Sequence, residues 1–217
     1  LGTTTSRDED HLIQFIVRSE LGDSAEHLSV LGTTNEFGGR SFASDPFAVS
    51  MDSDGVFVGH LGRGVVSRWG FDQQNEENRI QFRCALTLPG GTSHVARHPA
   101  LGWWYVTDRA GPGIYAVRER PLPESLRTEN KSCELEVAAT IVAPSLTSRG
   151  LAFNEDGSLL FVASSGDDSL RVYDTSVGYL GRPRNRLVKS IPIGRNPAVV
   201  RVASGVKGQG LVYVSLY

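Results

Sequence analysis

The chain has 217 residues, of which 40% are hydrophobic and 21% are charged, and its formal net charge is −2. The sequence contains no run of about 18 apolar residues, which a membrane-spanning helix needs, and its Lys and Arg residues are scattered. This composition argues against an integral membrane protein and against a nucleic-acid-binding protein, which usually carries a concentrated basic face.

Four short apolar runs recur along the chain at intervals of about fifty residues. They are residues 56–58 (VFV), 104–106 (WYV), 160–162 (LFV) and 212–214 (VYV). A short segment precedes each run, at residues 46–49, 93–96, 149–152 and 197–200. The intervening turns are rich in Asp, Gly or Pro, as in residues 52–55 (DSDG) and 154–157 (NEDG). Each segment with its run therefore predicts a β-hairpin.

Two further strands follow each of the first three hairpins. The third strands are residues 64–69, 113–117 and 169–173, and their apolar and polar side chains alternate. Successive side chains of a strand point to opposite faces of the sheet, so this alternation is typical of a strand. The fourth strands are residues 84–88, 138–142 and 188–193. Polar loops at residues 72–79, 118–131 and 179–186 separate the third strands from the fourth.

Four strands in each unit of about fifty residues, with no convincing helix, predict an all-β fold of the β-propeller class. A β-sandwich also uses short strands and regular turns, but it does not explain the recurrence. The predicted organisation is strands three and four of a first blade (1–43), three blades (44–91, 92–146 and 147–194), and strands one and two of a last blade (195–217).

The incomplete first and last units leave two arrangements open. They could join in one composite blade and close a four-bladed ring, which removes exposed sheet edges. Alternatively, the chain is a fragment of a larger ring. We favour the fragment, because an apolar strand at the extreme end of a chain is an unusual ending.

Residues 105–108 (YVTD) resemble the YVTN signature of surface-layer-type propellers, and residues 150–164 (GLAFNEDGSLLFVAS) are the best match. The resemblance is weaker in the first two units, where Gly59 and His60 replace the Thr-Asn pair. It implies a propeller, usually of seven blades, and commonly an extracytoplasmic location (periplasmic, cell-surface or secreted). It implies no single function, because such relatives include lactonase-like enzymes, cofactor-bearing dehydrogenase subunits and binding scaffolds.

The starts of the predicted first strands give the candidate binding residues. Equivalent positions there hold Phe47, Ser93, Arg149 and Ala198, and His94 follows Ser93. These residues should surround one mouth of the central channel, where an arginine could bind a carboxylate or phosphate through two hydrogen bonds. The alternative for Arg149 is a surface ion pair with a nearby Asp. The different residue types argue against a symmetric site.

We predict no metal ion and no cofactor. His94 and His98 are four residues apart in a predicted strand, which separates them by about 13 Å, too far to chelate one ion. No nucleophile motif and no phosphate-binding glycine loop is present in the sequence, so no catalytic residues are assigned.

The two cysteines, Cys84 and Cys133, are predicted near the outermost strands of consecutive blades, where they could form a disulfide. Free thiols remain the alternative, because Cys133 lies in a loop of unknown path. Trp103 and Trp104 are adjacent in a strand and should therefore pack on opposite sides. Trp69 ends a third strand, and we expect it to be partly exposed.

Two functional hypotheses follow from these observations. The first is a non-catalytic propeller scaffold that binds a protein or glycan partner outside the cytoplasm. The second is a lactonase-like hydrolase that opens a sugar lactone or small ester at the channel mouth. A carboxylate close to His94 and Arg149 would favour the enzyme, whereas a mouth filled by Phe47 would favour the scaffold.

Overall fold

A computed structural model describes residues 2–5, 10–17, 25–33, 36–37, 40–41, 46–61, 64–71, 80–128, 131–204 and 210–217. These residues form nineteen β-strands and one short 3-10 turn at Glu124–Leu126. No α-helix occurs among them, and so no helix that could span a membrane. The all-β prediction is confirmed.

Three four-stranded antiparallel sheets occupy the middle of the chain, each with its strands in sequential order. Blade I consists of β6 (Pro46–Asp52), β7 (Gly55–His60), β8 (Val65–Phe71) and β9 (Ile80–Thr87). Blade II consists of β10 (Thr92–Arg97), β11 (Trp104–Asp108), β12 (Gly113–Pro121) and β13 (Cys133–Val142). Blade III consists of β14 (Ser148–Phe153), β15 (Leu159–Ser164), β16 (Ser169–Asp174) and β17 (Arg186–Pro192).

Smaller sheets lie on either side of these blades in the sequence. Before them come a three-stranded sheet of β1 (Gly2–Thr5), β2 (Asp10–Val17) and β3 (Ala25–Thr33), and a short hairpin of β4 (Glu36–Phe37) and β5 (Arg40–Ser41). After them comes the terminal hairpin of β18 (Pro197–Ser204) and β19 (Gly210–Leu216). Only two strands were expected before blade I, so β1 and the β4–β5 hairpin are additional.

The position of β1 bears on the closed four-bladed ring. It contacts β6, the first strand of the next blade, just as the second strands β7 and β11 contact β10 and β14. Strands β1, β2 and β3 therefore occupy the second, third and fourth positions of a blade. Because β19 is also a second strand, the two terminal sheets do not combine into one four-stranded blade.

The second strand of each blade is buried between its neighbours. Its successive side chains point in opposite directions and reach the cores on both sides. In blade II, Trp104 stacks on Phe57 of blade I with ring centroids 4.7 Å apart, whereas Tyr105 meets Phe153 of blade III edge-on at 5.0 Å. Trp103 packs against the same core as Tyr105, so the prediction of opposite packing for the two tryptophans is confirmed.

The prediction for Trp69 is wrong, because its side chain is only 1% exposed. It packs with Val56 and Val58 in a core cluster, and its ring meets Phe82 edge-on. Its indole N–H donates a hydrogen bond of 2.7 Å to Ser67 Oγ. Trp69 lies on β8, where Val56 of β7 and Phe82 of β9 are its cross-strand neighbours. The side chains of these two residues therefore cover it on both sides.

Arg68 is a buried cation at the interface of blades I and II. Its guanidinium forms ion pairs with Asp52 at 2.8 Å and with Glu119 of blade II at 2.9 Å. It also lies 5.0 Å from the ring centre of Trp104. Two carboxylates and an aromatic face thus compensate the charge, which a buried ion requires.

The structure joins Cys84 and Cys133 in a disulfide between the outermost strands of blades I and II. The loop that was predicted from residue 118 is shorter, because β12 continues to Pro121 and pairs there with Cys133. Cys133 is therefore a strand residue with a defined path. The predicted loop at residues 72–79 lies outside the described residues.

We expect the disulfide to contribute about 4 kcal/mol to the free energy of unfolding, because it closes a loop of 49 residues in the unfolded chain. Chemical denaturation with and without a reductant measures this difference. The C84A/C133A variant is the control, and its stability should not respond to the reductant. Equal stability of the oxidised and reduced protein would contradict the prediction.

Candidate functional site

The four equivalent candidate residues share one structural position. Phe47, Ser93, Arg149 and Ala198 are the second residues of β6, β10, β14 and β18. These are the first strands of their sheets, and each contacts the next in the series. The four residues therefore lie along one rim of the inner strands, which we call the mouth.

The side chains at the mouth differ in what they offer a ligand. Phe47 is 49% exposed, Arg149 is half-buried, and Ser93 and Ala198 are buried. The backbone of Ala198 packs directly against Gly150, because a Cβ atom at position 150 would lie 2.4 Å from the carbonyl oxygen of Ala198. A glycine at position 150 is what allows β14 and β18 to approach this closely.

Thr107 fixes β10 relative to β14. Its Oγ1 accepts a hydrogen bond of 3.1 Å from the backbone N–H of His94 and donates one of 2.6 Å to the carbonyl of Arg149. Ser215 takes the same position on β19, where its Oγ accepts a bond from the N–H of Val199 at 3.1 Å. Both hydroxyls directly follow an apolar run, which is the signal in the sequence that could have identified them.

His94 lies among the candidate residues and is half-buried. Its Nδ1 is 3.2 Å from Ser93 Oγ, and its ring meets that of Phe47 edge-on at 6.2 Å. Burial, together with the positive charges of Arg201 and Arg149, lowers the pKa of His94 to about 4. The imidazole is therefore neutral at physiological pH.

Arg149 and Arg201 both act electrostatically on His94, and neither has an ion-pair partner within the described ranges. Arg149 Nε is buried and makes no hydrogen bond there, so the expected alternative of an Asp partner is not found. Arg201 donates only to the neighbouring carbonyl of Val200, at 3.0 Å. Sequence reasoning missed Arg201, although a charged residue in an innermost strand is a usable signal.

His98 lies at the other end of β10 and does not join this group. Its Nδ1 accepts hydrogen bonds from the backbone N–H groups of Ala100 and Leu101, and its Nε2 is 3.3 Å from the carbonyl of Thr175 in the third unit. The ring packs on Phe153. His98 is thus an interface residue between blades II and III.

A cavity of about 900 Å³ lies away from the mouth, between blade III and the terminal hairpin. It is lined by Phe153, Phe161 and Val212, with Glu155 and Asp156 beside them. The lining belongs to the ends of β14 and β18, opposite to Arg149. We place the candidate site at the mouth, because Arg149 and Arg201 act there on His94 and have no ion-pair partner among the described residues.

Scans of protein-family models and of curated proteins find no match. Solved structures do match. A putative 6-phosphogluconolactonase from Bacteroides uniformis has 14% identity and a TM-score of 0.62, over 97% of this chain and 62% of that chain. The periplasmic gluconolactonase of Pseudomonas aeruginosa has 18% identity and a TM-score of 0.61, over 94% of this chain and 56% of that chain.

A third match is the β-propeller domain of Cps50 from Myceliophteria thermophila, with 12% identity and a TM-score of 0.51, over 79% of this chain and 53% of that chain. The chain forms part of a β-propeller. It spans 53–62% of the length of these three structures. At these identities the likeness shows the propeller fold alone.

We expect the propeller to lose stability as the pH falls from about 6.5 to about 4, the range between the ordinary pKa and the lowered pKa of His94. In this range the unfolded chain binds a proton that the folded chain does not, so the free energy of unfolding decreases, by up to about 3 kcal/mol. Denaturation at a series of pH values measures the slope.

The H94Q variant should reduce this slope. It should not abolish it, because burial also lowers the pKa of His98. The same pH dependence in H94Q and in the parent protein would contradict the assignment of a neutral His94.

Proposed function

We propose that the chain is part of a non-catalytic propeller that binds an anionic carbohydrate, such as a sugar acid or a sugar phosphate, at the mouth. The observation that carries this proposal is that half-buried Arg149 and exposed Arg201 both act electrostatically on a neutral His94, while neither has a carboxylate partner among the described residues. Guanidinium groups match carboxylate and phosphate oxygens in geometry and charge.

The groups around the arginines suit a sugar. The imidazole of His94 offers a neutral hydrogen-bonding edge for hydroxyl groups. The exposed ring of Phe47 offers an apolar face beside the imidazole of His94. These features support a small glycan in preference to the protein partner that the sequence also left open.

Lactone hydrolysis is the second candidate. A neutral imidazole could take a proton from water, and an arginine could stabilise the oxyanion that forms. Two of the similar structures are named as lactonases. Binding without catalysis ranks first because a histidine with a pKa of about 4 is a weak base, and no described carboxylate contributes to its electrostatic environment.

An extracytoplasmic location forms part of the proposal, as does membership of the YVTN-repeat group. The Cys84–Cys133 disulfide supports the location, because disulfides persist in oxidising compartments. One of the similar structures is itself named as periplasmic. Residues 105–108 and 150–164 support the repeat group.

Calorimetric titration with 6-phosphogluconate and with uncharged glucose tests the function. We expect the phosphorylated acid to bind and glucose to bind much more weakly, since glucose gives the arginines no charged partner. R149Q and R201Q should each weaken binding at least tenfold, because each removes a charge-assisted hydrogen bond of about 1.5–3 kcal/mol.

R127Q is the matched control, because Arg127 is an exposed arginine in the turn after β12, at the end of the blade opposite to the mouth, and the affinity of this variant should equal that of the parent chain. Equal affinity in R149Q and in the parent would contradict the proposed site. Turnover of gluconolactone that is lost in H94Q would instead favour the hydrolase.

A further inference from the structure

The loop between β16 and β17 combines apolar and basic side chains at the surface. We call residues 175–186 the basic loop. Tyr179 is 97% exposed and Leu180 is 71% exposed, so the tip of this loop presents two apolar side chains to solvent. Arg182, Arg184 and Arg186 follow within six residues and are also exposed.

Backbone hydrogen bonds hold the basic loop in one conformation. Gly178 donates to the carbonyl of Arg182 and Gly181 donates to the carbonyl of Gly178, which forms a tight turn around Tyr179. Gly181 has a φ of +71°, which a residue with a side chain rarely adopts. A β-bridge between Val177 and Pro183 closes the turn.

The base of the basic loop is attached to blade II. Tyr105 donates a hydrogen bond of 2.8 Å to the Oδ1 atom of Asn185, and His98 contacts the carbonyl of Thr175. Because both ends are fixed on a neighbouring blade, the exposed tip is preformed, and docking it requires little further ordering.

Positive charge dominates the basic loop and the strand after it. Arg182, Arg184, Arg186 and Lys189 are the cations, and the carboxylate that forms ion pairs with them is that of Asp174, which lies 3.5 Å from Arg184 and 3.6 Å from Arg186. The whole chain has a net charge of −2, so this concentration of cations is local.

We propose that the basic loop docks the protein on an anionic phospholipid surface. A tyrosine ring suits the headgroup layer, a leucine suits the hydrocarbon beneath it, and arginines bind the phosphates. A soluble polyanion or an acidic peptide would satisfy the arginines but would leave Tyr179 and Leu180 in water. A bilayer provides both environments next to each other.

The strand directions determine what a docked protein presents to solution. Arg149 lies at the start of β14, whereas the basic loop follows Asp174 at the end of β16. Strands β14 and β16 run parallel, because each is antiparallel to β15 between them. The basic loop and the mouth are therefore at opposite ends of the blade, and docking leaves the mouth accessible.

Sedimentation of the chain with vesicles tests the proposal. Vesicles of phosphatidylcholine with about 30% phosphatidylglycerol should bind the chain, binding should weaken with added salt, and vesicles of phosphatidylcholine alone should not bind it. R182Q should lower the partition coefficient about fivefold, the effect of one cation near an anionic surface. Y179S/L180S should lower it by at least as much.

The turn between β12 and β13 provides the matched control, because it joins the same pair of strand positions in blade II and also exposes a leucine and an arginine, Leu126 and Arg127. L126S/R127Q should bind vesicles as the parent chain does. Thermal unfolding of each variant verifies that the exposed substitutions leave the fold intact.

Three results would overturn the proposal. They are equal binding to vesicles with and without phosphatidylglycerol, unchanged binding in both R182Q and Y179S/L180S, and binding to soluble heparin without binding to vesicles. The last result would identify the basic loop as a polyanion site instead of a membrane site.

Discussion

The structure depends on the packing of each blade between two neighbours. A four-stranded sheet has two faces, and both faces of the second strands of blades I and II are buried and mainly apolar. Trp104 and Tyr105 show the consequence, because adjacent residues of one strand enter different cores. No blade is stabilised alone, and the disulfide between Cys84 and Cys133 fixes one of these interfaces covalently.

The same packing builds the mouth. The first strands come together because the sheets behind them are packed face to face, and the contact of Gly150 with the carbonyl of Ala198 shows how close they are. Thr107 then connects two of these strands through backbone groups of His94 and Arg149. Backbone geometry therefore sets the distance between these two residues, and a ligand meets a preformed arrangement.

Strand order was predictable from the sequence because alternation and turn chemistry act over a few residues. Contacts between blades were not predictable in the same way. Trp69 was expected to be partly exposed, since the sequence does not show which strand covers it. Arg201 was missed because its proximity to His94 depends on three packed sheets. Cys133 was assigned to a loop because the alternation of apolar and polar residues ends before it. In the structure the β12–β13 hairpin continues beyond that region, as far as the pair Pro121 and Cys133.

The arginines show how structural charges differ from functional ones in this propeller. Arg68 is buried, and the carboxylates of Asp52 and Glu119 compensate its charge. Arg171 is also buried, and it pairs with Asp167 and donates to Ser145. Arg149 differs from them because it has no carboxylate partner among the described residues, and Arg201 acts on the same imidazole of His94. Arg149 is half-buried and Arg201 is exposed, so neither charge is fully removed from water. Two cations that act on one imidazole without an ion-pair partner contribute no ion pair to the fold, and they attract an incoming anion.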